Sequence, residues 1–263
     1  MRDDLSTYSR FKQAVLYELG AGMFQGFMSA YFRTFAIPQI ARELERSGET
    51  KRSPEKRATD TGIAIYEILV DGHDGPRGQR MIDLLRRVHR GVRGSSEDYQ
   101  HVLASLLVTP ARHLRRYGPR PLTPEELEEG RLFYSELGKR IGTVGLPDTY
   151  DSWERFVVDY EDEHAASTEE ARQLLASSLP VFRQKLPAPI RFLAPQAMSA
   201  LLWDAPVVRA LDLPKPNLAG RLLIKRASNG RERGDDKPQF TPGSSDGAVY
   251  RGSYDLADIG PAE

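Results

Sequence analysis

Apolar residues spaced three and four apart, opened again and again by helix-start signals, run through most of this chain and leave little room for a sheet. Thr123-Pro124-Glu125-Glu126 has the form of a capping box with proline at the first helical position, and Ser167-Thr168-Glu169-Glu170 reads as a second box. Ser53-Pro54 offers a further cap. Helical apolar spacing follows these starts over 63–70, 81–92, 127–141, 153–160 and 174–182. Helices are also expected over 9–32, 38–44, 190–203 and 207–211. Glycine and proline mark loops at 71–78, "YGPRPLTP" and "KLPAPI". No alternating segment of useful length competes with this pattern. The expectation is an all-α single domain over 1–227, with on the order of eight helices or more. The remainder, 228–263, is polar and glycine-rich and is expected to form a flexible tail set apart from the domain.

Composition removes several classes of function. Lys plus Arg equal Asp plus Glu at 37 each, so no overall attraction draws the chain to nucleic acid or an anionic surface. The chain has no cysteine, which excludes disulfides, thiolate nucleophiles and iron–sulfur clusters. The first residues, "MRDDLSTYSRFK", do not read as a secretory signal, and a cytoplasmic location is expected. The uncharged stretch 19–32 is shorter than the roughly 17 residues a membrane span needs. It reads as a buried helix lining a cavity; a peripheral membrane contact would need a basic polar face, and only Arg33 follows it. Phosphate-loop, nucleophile-elbow, His-Glu-x-x-His and dinucleotide motifs are absent. Asp159, Glu163 and His164 in "DYEDEHAAS" have the residue types of a metal site, or of a solvated helix end.

The stretch "MIDLLRRVHRGVRG" carries one histidine within an arginine-rich helix. Met81, Leu85, Val88, His89 and Val92 share a stripe, and Arg86, Arg87, Arg90 and Arg93 surround it. An inward histidine is either a core residue with a hydrogen-bonded ring or a metal ligand. No aromatic residue interleaves the arginines, so a nucleic-acid surface fits poorly. A planar apolar group with two carboxylates fits better: haem, with His89 toward the iron and arginines such as Arg93 toward the propionates. A second helix, "PEKRATDTGIAIYEILVDG", places Arg57, Thr61, Ile65 and Ile68 on one stripe. Thr61 either faces bound oxygen or bonds back to its own helix. The other histidines, His73, His101, His113 and His164, read as surface residues.

These segments together resemble the haem-b oxygenase family of the latex-clearing proteins (rubber oxygenases) and the mycophenolic-acid-pathway oxygenase MpaB. The resemblance rests on "IPQIARELERSG", "RATDT", "RRVHRGVRG", "RRYGPRPLTPEELEEGRLFYSELG", "GLPDTYDSWERFVVDY" and "APVVRALDLPKP", in that order, from about Phe35 to Pro216. It implies a globin-like helical fold holding haem b, with His89 as the proximal iron ligand and Arg57 and Thr61 close to the haem. Latex-clearing proteins carry a lysine immediately before the threonine; Asp60 stands there in this chain. The distal-ligand role of that lysine is therefore not carried over, and rubber itself is a poor expectation for the substrate. What the resemblance implies is an oxygenase using molecular oxygen on an apolar substrate, such as an isoprenoid. Phe24, Phe27, Met28 and Phe32 are expected to line its pocket. The alternative is a helical protein that binds haem or lipid without turnover, as carrier or sensor.

Overall fold

The computed structural model describes residues 8–229, 238–244 and 252–261. Among them are thirteen α-helices and no strand. A short α1 (Ser9–Gln13) runs through a π-helical turn, Ala14–Glu18, toward α2 (Gly20–Arg33). The helix expected over 9–32 is thus interrupted, at Leu19 with φ −120° and ψ 14°. Next come α3 (Pro38–Ser47) and α4 (Glu49–Arg52), separated by Gly48 at φ 71°. The centre of the chain forms α5 (Pro54–Asp71), α6 (Pro76–His89), α7 (Ser96–Tyr117) and α8 (Pro124–Ile141). The chain continues with α9 (Tyr150–His164), α10 (Glu169–Gln184), α11 (Ala194–Leu202), α12 (Ala205–Ala210) and α13 (Leu218–Ser228). No helix among the described residues is long and apolar enough to cross a membrane.

Of the three caps expected from the sequence, Thr123 acts where it was placed, whereas Ser53 stands before α5, with Pro54 at its first position, but makes no side-chain capping bond. Thr123 and Glu126 exchange both bonds of a capping box at 3.2 and 2.8 Å. The second cap is one residue later than expected: Thr168, not Ser167, accepts from the Ala171 amide at 3.1 Å, so no reciprocal glutamate is in place. Ser95 and Asp98 form a box the periodicity did not reveal. The helix expected to reach Val92 ends at His89, and Val92 is exposed rather than inward.

Two apolar clusters share the molecule. Phe11, Leu107, Phe133, Tyr134 and Trp153 anchor one, between α1 and α5–α9. Phe32, Phe35, Leu174, Leu201 and Val207 anchor the other, around α10–α12. The long central helix α7 packs on α2 through Gly26 and Gly22, where an added Cβ would collide with Pro110 and Leu114. Helices α5 and α6 meet tightly as well: a Cβ on Gly78 would strike the carbonyl of Gly72.

A buried ion cluster joins the halves. The fully buried Arg33, at the end of α2, donates to Glu161 Oε1 at 2.8 Å, to the Leu202 carbonyl at 2.6 Å and to Asp204 Oδ2 at 2.5 Å. A second guanidinium nitrogen bond to Glu161 makes that pair bidentate. The guanidinium lies 5.2 Å from the Trp203 ring centroid. Trp203 itself is held at φ 45°, a conformation costly for a bulky side chain.

The described stretches of the C-terminal segment depart from the expected detached tail, because they are packed on α5 and α6. Phe240 stacks on Tyr66 at 5.2 Å, and Tyr254 and Ile259 are buried. Glu67, fully buried on α5, takes the Tyr254 hydroxyl and the Gly243 amide as well as Arg77. Nearer the start of α5, Lys56 donates to the carbonyls of Asp258 and Gly260 at 3.0 and 2.7 Å, and Asp60 accepts the Gly260 amide at 3.0 Å. Attachment through a few scattered polar and apolar anchors, without periodic apolar residues, is what hid it from the sequence. The rest of the expected tail, 230–237, 245–251 and 262–263, lies outside the described residues.

Two measurements check these contacts. Ending the chain at Asn229 should lower Tm by about 5 °C or more, since each buried side chain lost is worth about 1.5–3 kcal/mol; an unchanged Tm would show that the strap adds nothing. Burial pushes the Glu161 carboxyl up, but Arg33 and His101 outweigh it and bring it to about 2 from an ordinary 4.5. Its folded pKa lies below the unfolded one, so its stabilisation is complete above pH 4.5 and fades as pH falls toward 2. Glu161→Gln should therefore cost about 3–5 kcal/mol at neutral pH and show a shallower acid loss than the parent.

Candidate functional site

The residues singled out in the sequence lie on α5, at the end of α6 and in the loop that follows. On α5 the Arg57 guanidinium donates to Thr61 Oγ1, and the Thr61 hydroxyl donates to the Arg57 carbonyl at 3.0 Å. The back-bond considered for Thr61 is therefore present, and Thr61 also fixes the guanidinium. Arg57 has no carboxylate partner among the described residues. It is a half-buried cation whose charge nothing nearby neutralises.

His89 is the last residue of α6 and half-buried. Its ring stands edge-on to Tyr99 with centroids 5.8 Å apart, and the Tyr99 hydroxyl is tied to the Val92 carbonyl at 2.9 Å. Neither imidazole nitrogen has a hydrogen-bond partner among the described residues. Burial, with the Arg57 charge second, pushes the imidazole below its ordinary 6.5. A helix C-terminus alone would favour the protonated ring, so desolvation prevails over the dipole here. The ring is neutral at pH 7, the form in which a nitrogen lone pair is free to bind metal.

A third helix completes the neighbourhood. Phe24, Phe27, Met28 and Tyr31 share the one face of α2 that is not fully buried. Phe27 meets Tyr66 of α5 edge-on at 5.8 Å. The Tyr31 and Thr50 hydroxyls face one another near Arg57, buried, yet neither has a partner in normal hydrogen-bond geometry. Burial raises the Tyr31 pKa, with Arg57 and Thr50 opposing, so its proton stays in place. No residue from Ser53 to Thr59 is fully buried, and a Cβ on the helical Gly62 would meet nothing within 4 Å. The partly exposed faces of α2 and α5 together make up the candidate groove. It has an apolar wall, a lone cation and two unpaired hydroxyls.

Other expectations are corrected. Phe32 is buried in the second apolar cluster, against Phe35 and Phe182, and does not line this groove. Arg93 sits exposed in the loop after α6, its amide donating to Glu43 and its carbonyl accepting from Gln39. Asp60 turns to Lys56 and the C-terminal strap. His73, His101 and His113 are buried, not surface residues. His101 stacks on Tyr160 and reaches Glu161 at 3.4 Å; His113 meets the Ser228 hydroxyl at 2.7 Å, and burial holds it at about pKa 4. They sit in helices and loops whose local polarity concealed tertiary burial. The acidic run closes α9, where His164 bonds the Tyr160 carbonyl, and no metal-holding group of three acids or histidines occurs among the described residues. Sequence reasoning missed Tyr31, Thr50 and Tyr99. Tyr31 was within reach of it, one turn beyond Phe27 on the same face.

The family comparison gives this geometry its context. The model of the ER-bound oxygenase mpaB/B′/rubber oxygenase catalytic domain matches residues 15–226, from the π-helical turn to the body of α13. The chain belongs to this oxygenase family. No curated protein matches it. The match takes in α2, α5 and α6 entire, and with them every residue of the groove.

An unpaired buried hydroxyl costs stability unless something else satisfies it. In the ligand-free protein, Tyr31→Phe should therefore leave stability unchanged or raise it by up to about 1 kcal/mol. A clear loss in chemical denaturation would show that the hydroxyl already has a strong partner.

Proposed function

We propose that this member of the oxygenase family is a haem-b-dependent oxygenase acting on an apolar substrate, isoprenoids being the class to try first. The observation that carries the reading is His89: a neutral imidazole with both nitrogens free of hydrogen bonds, near a cation that has no anionic partner. The donor set suits the group. His89 would hold the iron, and Arg57 would pair with a propionate or with negative charge developing on the substrate. Arg93, exposed in the loop after α6, is the candidate for a second carboxylate. The unfilled space at Gly62 and the unpaired Tyr31 and Thr50 hydroxyls are further features that a bound group would complete.

When bound, haem supplies the iron at which molecular oxygen reacts. The chain's own residues do the rest. Thr61 locks the Arg57 guanidinium, so its charge is in place before substrate arrives and needs no reorganisation. Phe24, Phe27 and Met28 give an apolar substrate a surface and displace water from it. Tyr31, with its proton retained, offers a hydrogen bond to an oxygen atom at the polar end of the groove.

The second reading, binding without turnover, draws on the same Thr61: its hydroxyl is engaged at both ends by Arg57. Two variants separate the readings. The purified protein should carry or take up haem with a Soret band that His89→Ala abolishes or shifts; a folded protein with no affinity for haem would overturn the proposal. Thr61→Val should keep haem and lose about 0.5–1.5 kcal/mol of stability. If Arg57 acts in turnover, oxygen uptake with a prenyl substrate should fall on the order of 10- to 100-fold in that variant. No uptake in the parent across several such substrates would favour the carrier.

A further inference from the structure

The outer face of α13 combines features that do not belong together on a solvated helix. In "LAGRLLIKRAS", Gly220 and Ile224 are buried, and an added Cβ on Gly220 would collide with the Gln196 carbonyl of α11. At 100° per residue the opposite side carries Arg221, Lys225, Leu218, Leu222 and Arg226 in adjoining positions. Leu218 is 72% exposed and Leu222 56%, one turn apart, so together they make a continuous apolar ridge. In the 3-10 turn Ala188–Leu193 that leads into α11, Phe192 is 69% exposed. These are three of the most exposed large apolar side chains among the described residues.

Charge decides what covers this ridge. The helix has no acidic residue, and none of the Arg221, Lys225 and Arg226 side chains has a hydrogen-bond or ion-pair partner among the described residues. The chain as a whole is neutral, so three unpaired cations beside an apolar ridge are a local excess. A second copy docking through the same face would set these cations against themselves across a two-fold axis. An anionic bilayer meets both demands: leucines enter the acyl boundary while arginine and lysine stems extend to the headgroups. We infer that the exposed face of α13 is a docking surface for a membrane rich in anionic lipid. The stretch 19–32, weighed for such a role in the sequence, lacks the cations; α13 has them. The surface stands independently of the haem reading, because none of its residues belongs to the groove.

The test uses the full-length protein, sedimented with phosphatidylcholine vesicles and with vesicles that also contain phosphatidylserine. Binding is expected to the mixed vesicles only, falling as salt is raised. Arg221→Gln with Lys225→Gln should weaken it by more than about tenfold, two basic contacts at roughly 1 kcal/mol each. Leu218→Ser with Leu222→Ser should weaken it as well, with helical content and melting unchanged in both variants. No binding to either vesicle, or equal binding to both, would overturn the inference. So would a concentration-dependent dimer that the leucine pair abolishes, which would make the face a contact between copies.

Discussion

The bidentate contact between Arg33 and Glu161 is the constraint on which the placement of the groove depends. A guanidinium removed wholly from water would be costly without full hydrogen bonding, and here a carboxylate, a carbonyl and Asp204 supply it. Because Arg33 ends α2 and Glu161 lies on α9, the pair fixes how α2 leaves the core. It also draws in the turn at Trp203, whose left-handed backbone puts the ring against the guanidinium. Arg112 joins through Asp204, at 2.9 Å, and so ties α7 to the same point. The face of α2 opposite this cluster is the one bearing Phe24, Phe27 and Tyr31. Anchoring one side of the helix leaves the other free to remain half-open.

The second wall is set by close packing rather than charge. The contact between Gly72 and Gly78 brings α5 and α6 together at one end, and Glu67 with Arg77 clamps them a turn away. Arg57 and Thr61 lie in the part of α5 beyond those clamps. Rigid at one end and thinly covered at the other, α5 presents its polar residues with little freedom of orientation.

Most helices were legible because each keeps apolar spacing over about two turns or more and some begin with caps whose chemistry is local. Thr123 and Glu126 are three residues apart, and their box needs nothing from the rest of the chain. Arg57 and Thr61 were legible for the same reason, being one turn apart on one helix. The longest helix, α7, escaped although its Ser95–Asp98 box is local, as did α13; the rest of what escaped depends on distant partners. Whether His101 or His113 is buried is decided by Tyr160 and Ser228, 59 and 115 positions away. Tyr31, Thr50 and Arg57 lie on three helices, and nothing in the spacing of any one of them announces the others. The strap gave no signal since an irregular segment held by backbone groups and a few scattered side chains, such as Phe240 and Tyr254, has no period to detect.

Asp60 accepts from the Lys56 ammonium and from the amide of Gly260, and so it is spoken for by the far end of the chain. In latex-clearing proteins a lysine precedes the equivalent threonine. A lysine here would stand one helical turn from Lys56, offer no acceptor to Gly260 and remove one of the strap's anchors. The choice at this single position is thus coupled to the fate of a segment some two hundred residues away. Within the family, a chain that keeps the lysine should have evolved a different course for its C-terminal segment. The acid at this position and the sequence around 258–260 are expected to be inherited, or lost, together.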